Sequence, residues 1–375
     1  MPLTLAIDAS RANVSRPTGV ENYSRRVIEE LKNVVPGDVR VVLYSETPLL
    51  GELAALPPNW ESRVLRWPCR WFWAELRLGL EMLVRPSDVL WQPARALPFI
   101  LPRRAVATVH DLGFLDFPAA YGRVNRWYQA VSAWLAVRRA SVITVSDFTA
   151  SRVRDVFGSP RRGLAVTPLA VDPAPFRSAA GDSAGQEERR ARHGLRRPYY
   201  LFVGRLETKK NVAGLFAAYA RLVAAWPEAP DLALAGPRGL GADDAFTALP
   251  DAVRPRVREL GYVEDADLPH LLAAANALVF PSRYEGFGLP VLEAFAAGVP
   301  VVCSDAASLP EVAGEAALLV GLDDTDGLAR AMRSVVEDEA LRARLIAAGA
   351  ARVEGYSWRR TAELTWQKMK ELLGR

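Results

Sequence analysis

PSRYEGFGLPVLEAFAAGVP, residues 281–300, sets the reading of the whole chain. It follows a short apolar run, Ala277–Phe280, that reads as a strand. A glycine-bearing turn comes next, Glu285-Gly286-Phe287-Gly288, and then an apolar helix from about Pro290 to Ala297. Proline suits the first turn of a helix, and glycine then proline, here Gly298 and Pro300, suit its end. The unit is therefore strand, glycine loop, helix. Two carboxylates stand eight residues apart on it, Glu285 on the loop and Glu293 in the helix. The free N–H groups and positive dipole end of such a helix mouth suit an anion such as phosphate. A carboxylate beside it accepts hydrogen bonds from two neighbouring sugar hydroxyls. The stretch predicts a ligand that carries both phosphate and hydroxyl groups.

The same alternation runs through the rest of the chain. Strands are predicted at 3–7, 39–44, 106–111, 141–145 and Leu164–Val166, then at Tyr199–Val203, 232–235, 257–263, Ala277–Phe280 and 299–303. Helices fall between them, the first at 20–32 with Val20, Tyr23, Val27 and Leu31 on one face, the last at Trp358–Leu373. Two successive βα series imply two doubly wound parallel sheets. Residues 173–197, with Pro173, Pro175 and a small, charged run, read as a linker. The expected division is 1–172, linker 173–197, 198–356, and a final helix within 357–375. Ligands of open α/β sheets sit outside the carboxyl ends of strands. Gly19 after the first strand, His110-Asp111 after the third and Ser146 after the fourth stand at such ends; Ser146 also suits a helix cap.

Composition narrows the class. Of 375 residues half are hydrophobic and mean hydropathy is +0.03, which fits a soluble globular protein. The first residues read as a strand rather than a signal peptide, and no run of about 18 uncharged apolar residues suggests a membrane span. Two cysteines, Cys69 and Cys303, are too few for a disulfide framework or metal cluster, so a cytoplasmic protein is expected. The net charge of +4 is uneven: residues 1–180 hold 23 Arg/Lys against 16 Asp/Glu. That half prefers anionic surroundings, a membrane surface or nothing more than an Arg-rich composition. No nucleic-acid-binding signature accompanies it. Residues 59–91 interleave Trp60, Trp67, Trp71, Phe72, Trp73 and Trp91 with Arg63, Arg66, Arg70, Arg77 and Arg85. Three readings stay open: contact with a membrane or lipid-linked acceptor, core packing, or a protein partner.

Several motifs together carry a resemblance. GRLETKKN (204–211), YEGFGLPVLEAFAAGVPVV (284–302) and the first loop with Gly19 resemble the family 4 retaining glycosyltransferases of GT-B fold. VHDLGFLDFP (109–118), VSDFTASRV (145–153) and SLPEVAGEAALLV (308–320) resemble its mannosyltransferase-B-like branch, which builds bacterial polysaccharides and O-antigens. The resemblance spans the chain. It implies two Rossmann-like domains facing across a cleft, with the last helix returning to the first domain. It implies retaining transfer of a hexose, with mannose from GDP-mannose favoured, onto a growing and lipid-linked glycan. The enzyme would work in the cytoplasm, at the inner face of the plasma membrane, with no cofactor and no metal.

The resemblance also assigns roles. Arg205 and Lys210 match the pair that binds the donor diphosphate; Lys209 is the alternative to Lys210. Glu285 would lie near the donor sugar and Glu293 would hold the ribose hydroxyls. The amides of Gly286, Phe287, Gly288 and Leu289 would meet sugar and phosphate. His110 would face the donor sugar, Gly19 the diphosphate, and Gly236, Tyr262 and Val263 the base. Asp111 and Ser146 would lie by the acceptor. Two carboxylates also suit a hydrolase dyad, and an epimerase or hydrolase of the same fold, or a non-catalytic sugar-binding protein, are the rival functions. Glu264-Asp265-Ala266-Asp267 holds a D-x-D string of the kind that binds metal in another glycosyltransferase fold; directly before a helix, it reads here as a cap.

Overall fold

Seven short strands pair side by side, all parallel, in a first sheet: β1 (Thr4–Asp8), β2 (Arg40–Ser45), β3 (Trp60–Val64), β4 (Val89–Gln92), β5 (Ala105–Val109), β6 (Ser141–Thr144) and β7 (Leu164–Val166). Their order is β3-β2-β1-β4-β5-β6-β7. Six more form a second parallel sheet: β8 (Tyr199–Val203), β9 (Asp231–Ala235), β10 (Val257–Gly261), β11 (Ala277–Phe280), β12 (Val301–Ser304) and β13 (Ala317–Val320), ordered β10-β9-β8-β11-β12-β13. The computed structural model describes residues 3–15, 18–69, 71–94 and 96–374. Both sheets are doubly wound and Rossmann-like, as the βα alternation implied. β1, β4, β5, β8, β9, β11 and β12 are buried along most or all of their length, because helices cover both faces. β3, β4 and β13 are strands that the sequence reading missed. β3 is an edge strand with alternating exposure, β4 is four residues inside the Trp-rich stretch, and β13 is the tail of the 308–320 motif.

The chain divides into two compact units. The first holds the residues up to Asp116, Gly122–Leu169 and the stretch from Trp358 onward; the second holds Phe117–Tyr121 and Ala170–Ser357. The Trp358–Leu373 helix thus belongs with the first sheet. It buries Trp358, Ala362, Trp366 and Met369, one stripe at helical spacing. The Trp358 ring lies 6.4 Å from that of Tyr23, and Thr361 donates to the Pro168 carbonyl at 2.7 Å.

The expected linker is ordered structure. Residues 173–197 hold two helices, Pro173–Gly181 and Ser183–Arg192, both in the second unit. Asp172 accepts from the Ala174 amide and Asp182 from the Gly185 amide, so each helix is capped, and Pro173 sits at a helix start. The prolines begin a helix here instead of interrupting one. Asp267 explains what anchors the second of these helices. It occupies the N-cap position of Leu268–Ala273, yet its side chain makes no cap bond. The buried carboxylate instead meets Arg192 at 3.1 Å, His193 at 3.3 Å and Arg189 at 3.4 Å. These charge-assisted bonds hold the Asp267 carboxyl below the usual carboxylate range despite burial. The capping role read from sequence is corrected to an anchoring one.

Residues 59–91 also resolve. Trp60, Trp73 and Trp91 are core, and Trp67 packs half-buried on the cluster around Trp73. Arg63, Arg77 and Arg85 all pair with the buried Glu81. Arg70 lies outside the described residues. Trp71 and Phe72 alone of the six aromatics face outward. Among the described residues, no helix is long and apolar enough to cross a membrane.

Candidate active site

The order of the second sheet reverses between β8 and β11, and the loops that leave these two strands flank that reversal. Crevices outside such points bind ligands in open α/β sheets. The loop after β8 carries Gly204, Arg205 and Lys210; the loop after β11 carries Glu285 to Gly288. The opening stretch therefore stands where the topology places a site.

Close backbone packing sets the first loop. Gly204 donates to Ala235 at 2.8 Å, Leu206 to Pro237 at 2.9 Å and Thr208 to Leu240 at 3.0 Å, while Gly239 donates back to Leu206 at 2.7 Å. The loop after β8 is thus zipped along the loop after β9. Gly236 is required for this: its φ is +149°, and a Cβ there would stand 2.1 Å from the Gly204 carbonyl oxygen. The Arg205 side chain lies across Gly239, and the residue is exposed. Asn211, buried at φ +58°, turns the chain from Lys210 into the helix Val212–Ala225.

Lys210 reaches Glu285. Its ammonium donates to the Glu285 carboxylate, both side chains being largely buried, and stands 5.2 Å from the centre of the Phe280 ring. Lys209 turns toward Glu207 instead, at 3.9 Å. Of the two candidate lysines, Lys210 is the one that faces the glycine loop. That loop is tied from two sides: Arg283 donates to the Lys209 carbonyl at 2.9 Å, and the Ser308 hydroxyl donates to the carbonyls of Glu285 at 3.0 Å and Phe287 at 2.7 Å. Gly288, at φ +112°, is the N-cap of the helix Leu289–Ala296, with Pro290 in its first turn. Among the described residues, no acceptor meets the amides of Phe287, Gly288 and Leu289. These donors gather at a helix N-terminus, which suits an anion.

Glu293 lies in the same helix. The protein crowds its carboxyl, and that desolvation, reinforced by the negative charge of Asp265, pushes its pKa up to about 7. Among the described residues no donor compensates it. A desolvated carboxylate without donors is stabilised by a ligand that brings hydroxyls. Tyr262 is exposed after β10, beside the half-buried Val263.

The first unit places its candidates along the carboxyl edge of its own sheet. Gly19 is the first residue of the helix Gly19–Val34, whose Thr18 and Glu21 form a capping box, and among the described residues nothing lies within 4 Å of where its Cβ would be. His110 follows β5; its Nε2 donates to the Pro93 carbonyl at 2.8 Å, and its ring packs edge-on against Tyr23 at 4.7 Å. The next residue, Asp111, accepts from the Gly113 amide at 3.1 Å. Ser146 is buried and its hydroxyl accepts from the Thr149 amide at 3.1 Å, capping the helix Asp147–Phe157. Of these four, Ser146 has the clearest structural duty.

Sequence reasoning quoted Ser308 and Asn211 only as members of motifs. Their work is to hold the site's backbone. Asn211 had a legible signal, as Asn is among the residues that tolerate positive φ. Ser308 had none, because its partners lie 21 and 23 residues away.

Residues 17–175 match the family described as Glycosyltransferase Family 4, and residues 185–352 match Glycosyl transferases group 1. The chain is 36% identical over 267 residues to O-antigen chain mannosyltransferase B of Escherichia coli, covering 69% of each. It is 30% identical over 325 residues to a glycogen synthase of Mycobacterium tuberculosis, covering 81% of this chain and 75% of that one. Sucrose-phosphate synthase from Thermosynechococcus elongatus has a similar structure, with a TM-score of 0.76 over 99% of both chains at 20% identity. That last likeness is one of fold, the GT-B fold of two Rossmann-like domains. With its fold, its motifs, its two family matches and a relative 36% identical over 69% of each chain in agreement, the chain belongs to the family 4 glycosyltransferases.

Proposed function

We propose that the protein moves a hexose from a nucleotide diphosphate sugar to a growing glycan, with retention at the anomeric carbon, and that the donor is GDP-mannose. The observation that carries the transfer reading is the meeting of Lys210 and Glu285 beside the open amides of Phe287, Gly288 and Leu289. Breaking the bond to the diphosphate builds charge on the leaving oxygens. Arg205, Lys210 and those amides are donors fixed where that charge grows, so they act more on the transition state than on the ground state. Arg supplies a planar fork and Lys a compact charge. Glu285 holds Lys210 in place before the donor arrives and then faces the sugar hydroxyls. Glu293 takes the ribose, and Gly236, Tyr262 and Val263 border the base. From the first unit, Gly19 and His110 are read as donor contacts and Asp111 as an acceptor contact, with Ser146 supporting its helix. The donor phosphate takes the acceptor proton, so no residue serves as a covalent nucleophile. The two cations neutralise the diphosphate, and the reaction is proposed to need no metal.

The relative from Escherichia coli, an O-antigen chain mannosyltransferase, supports mannose and an O-antigen glycan; that the glycan is carried on lipid at the inner face of the plasma membrane is part of the proposal. The test offers GDP-mannose, UDP-glucose and UDP-N-acetylglucosamine in turn, without acceptor. Slow GDP release from GDP-mannose that persists in EDTA is expected. Release from a UDP sugar alone would overturn the donor, an epimerised product would overturn the transfer, and loss in EDTA restored by Mg²⁺ would overturn metal independence.

A further inference from the structure

Among the described residues, eleven of the seventeen exposed large hydrophobic side chains lie between residues 71 and 134, so the exposed apolar surface is concentrated in the first unit. Two helical segments carry most of it. A π-helical turn, Trp73–Leu78, runs into the helix Gly79–Val84. Along these, Phe72, Leu76, Leu80 and Leu83 point outward at spacings of three and four, while Trp73, Leu78 and Met82 point into the core.

The Arg123–Arg139 helix is apolar on two faces. Its inner face buries Ser132, Ala133, Ala136 and Val137. Its outer face reads Val124, Trp127, Val131, Trp134, Arg138, again at spacings of three and four, with Val124, Trp127 and Trp134 exposed by 81%, 67% and 47%. The buried Glu75 joins the two segments: its side chain accepts from the Tyr128 hydroxyl, and its carbonyl accepts from the Phe99 amide at 2.9 Å. Arg139 then donates to the Phe99 carbonyl at 3.0 Å. The exposed Phe99 and Ile100 therefore lie where these segments meet.

Charge identifies the occupant. The Arg123–Arg139 helix has four arginines and no acidic residue. Arg123 and Arg126 stand at its N-terminal end, where the helix dipole disfavours cations. Arg138 lies over the Trp134 ring at 5.8 Å. Exposed tryptophans interleaved with arginines fit an anionic lipid surface, where indoles sit among headgroups and guanidinium groups pair with phosphates. A self-association face would instead set arginine against arginine.

We infer that this face docks the protein on an anionic bilayer, with Trp127 and Trp134 entering the headgroup layer and Arg123, Arg126 and Arg138 meeting lipid phosphates. The docking surface centres on the Arg123–Arg139 helix rather than on residues 59–91, where three of the five tryptophans are core. It deepens the membrane side of the proposed function without depending on the donor. Flotation with vesicles of phosphatidylglycerol and phosphatidylcholine tests it, with pure phosphatidylcholine as the neutral control. The wild type should float with anionic vesicles and be released by high salt. W127S/W134S and R123E/R126E should each lower binding at least tenfold, with melting temperature and GDP-mannose hydrolysis unchanged. Failure of the wild type to float, or variants that float like it, overturns the inference. Failure to float joined to a dimer that W127S/W134S dissociates makes the face a contact between copies and overturns it equally. Hydrolysis of GDP-mannose in any of these outcomes leaves the proposed function standing.

Discussion

Glu293 makes the proposed nucleotide site sensitive to pH near neutrality, and the sign follows from its surroundings. Burial raises its folded-state pKa to about 7, above its ordinary value. The protonated form is therefore favoured in the empty protein, and the stability this group contributes is lost as pH rises through 7. A ribose diol donates hydrogen bonds that only the carboxylate accepts twice over, so bound nucleotide draws the pKa back down. With a pKa near 7, roughly a tenth of the empty protein carries the carboxylate at pH 6 and about nine tenths at pH 8. If the carboxylate is the binding form, the Kd for GDP falls about tenfold between those values, or about 1.4 kcal/mol.

Isothermal titration at pH 6, 7 and 8, in two buffers of different ionisation enthalpy, measures both the Kd and the protons exchanged. Net release of a proton is expected, largest below pH 7. Glu293→Gln removes the titration while keeping a carbonyl acceptor, so its affinity should be weaker at pH 8 and flat with pH. A wild-type Kd that does not change with pH, or a variant that keeps the full pH dependence, would refute the assignment of the ribose to Glu293.

Three further outcomes follow from neighbouring geometry. Lys210→Ala should lower turnover tenfold or more, and so should Arg205→Ala and Glu285→Ala, while Lys209→Ala should change it less than threefold; equal losses for the two lysines would contradict the pairing of Lys210 with Glu285. Gly288→Ala places a Cβ 2.7 Å from Leu309 at φ +112°, which should cost about 1–3 kcal/mol of stability, read as a lowered melting temperature. Asp267→Ala removes the partner of Arg189, Arg192 and His193 and should destabilise by about 2 kcal/mol. That corresponds to a fall in Tm of roughly 5 °C, with donor hydrolysis intact below the transition.

The parts of this protein that were legible in sequence are those whose chemistry closes within about twenty residues. Strand, glycine loop and helix at 281–300 share one stretch, so spacing alone placed Glu285 and Glu293 on their elements. Arg205 and Lys210 were assigned through the family resemblance alone, and the contact of Lys210 with Glu285, seventy-five residues on, had no local signal. Ser308 was not legible either, because its hydroxyl acts on carbonyls that only the parallel pairing of β11 with β12 brings near. Asp267 misled because its position before a helix is a local signal for a cap, whereas its partners sit some seventy-five residues earlier, in helices that had been read as a linker.

The tryptophans show where pattern stops being informative. A tryptophan at a helical position reads the same whether it faces core or solvent, and the difference is made by what packs on it. In residues 59–91 the sheet decides: β3 and β4 carry Trp60 and Trp91 inward, and Trp73 donates its indole N–H to the Leu65 carbonyl at 2.7 Å. In the Arg123–Arg139 helix the inner face consists mainly of alanine, serine and valine, small enough to pack closely, which leaves Trp127 and Trp134 no place in the core. Apolar residues on both faces flatten the periodic signal that normally marks a surface helix. A helix with a small-residue face buried and a tryptophan-arginine face exposed is therefore the arrangement that sequence periodicity reports least well, and exposure alone separates its two apolar faces.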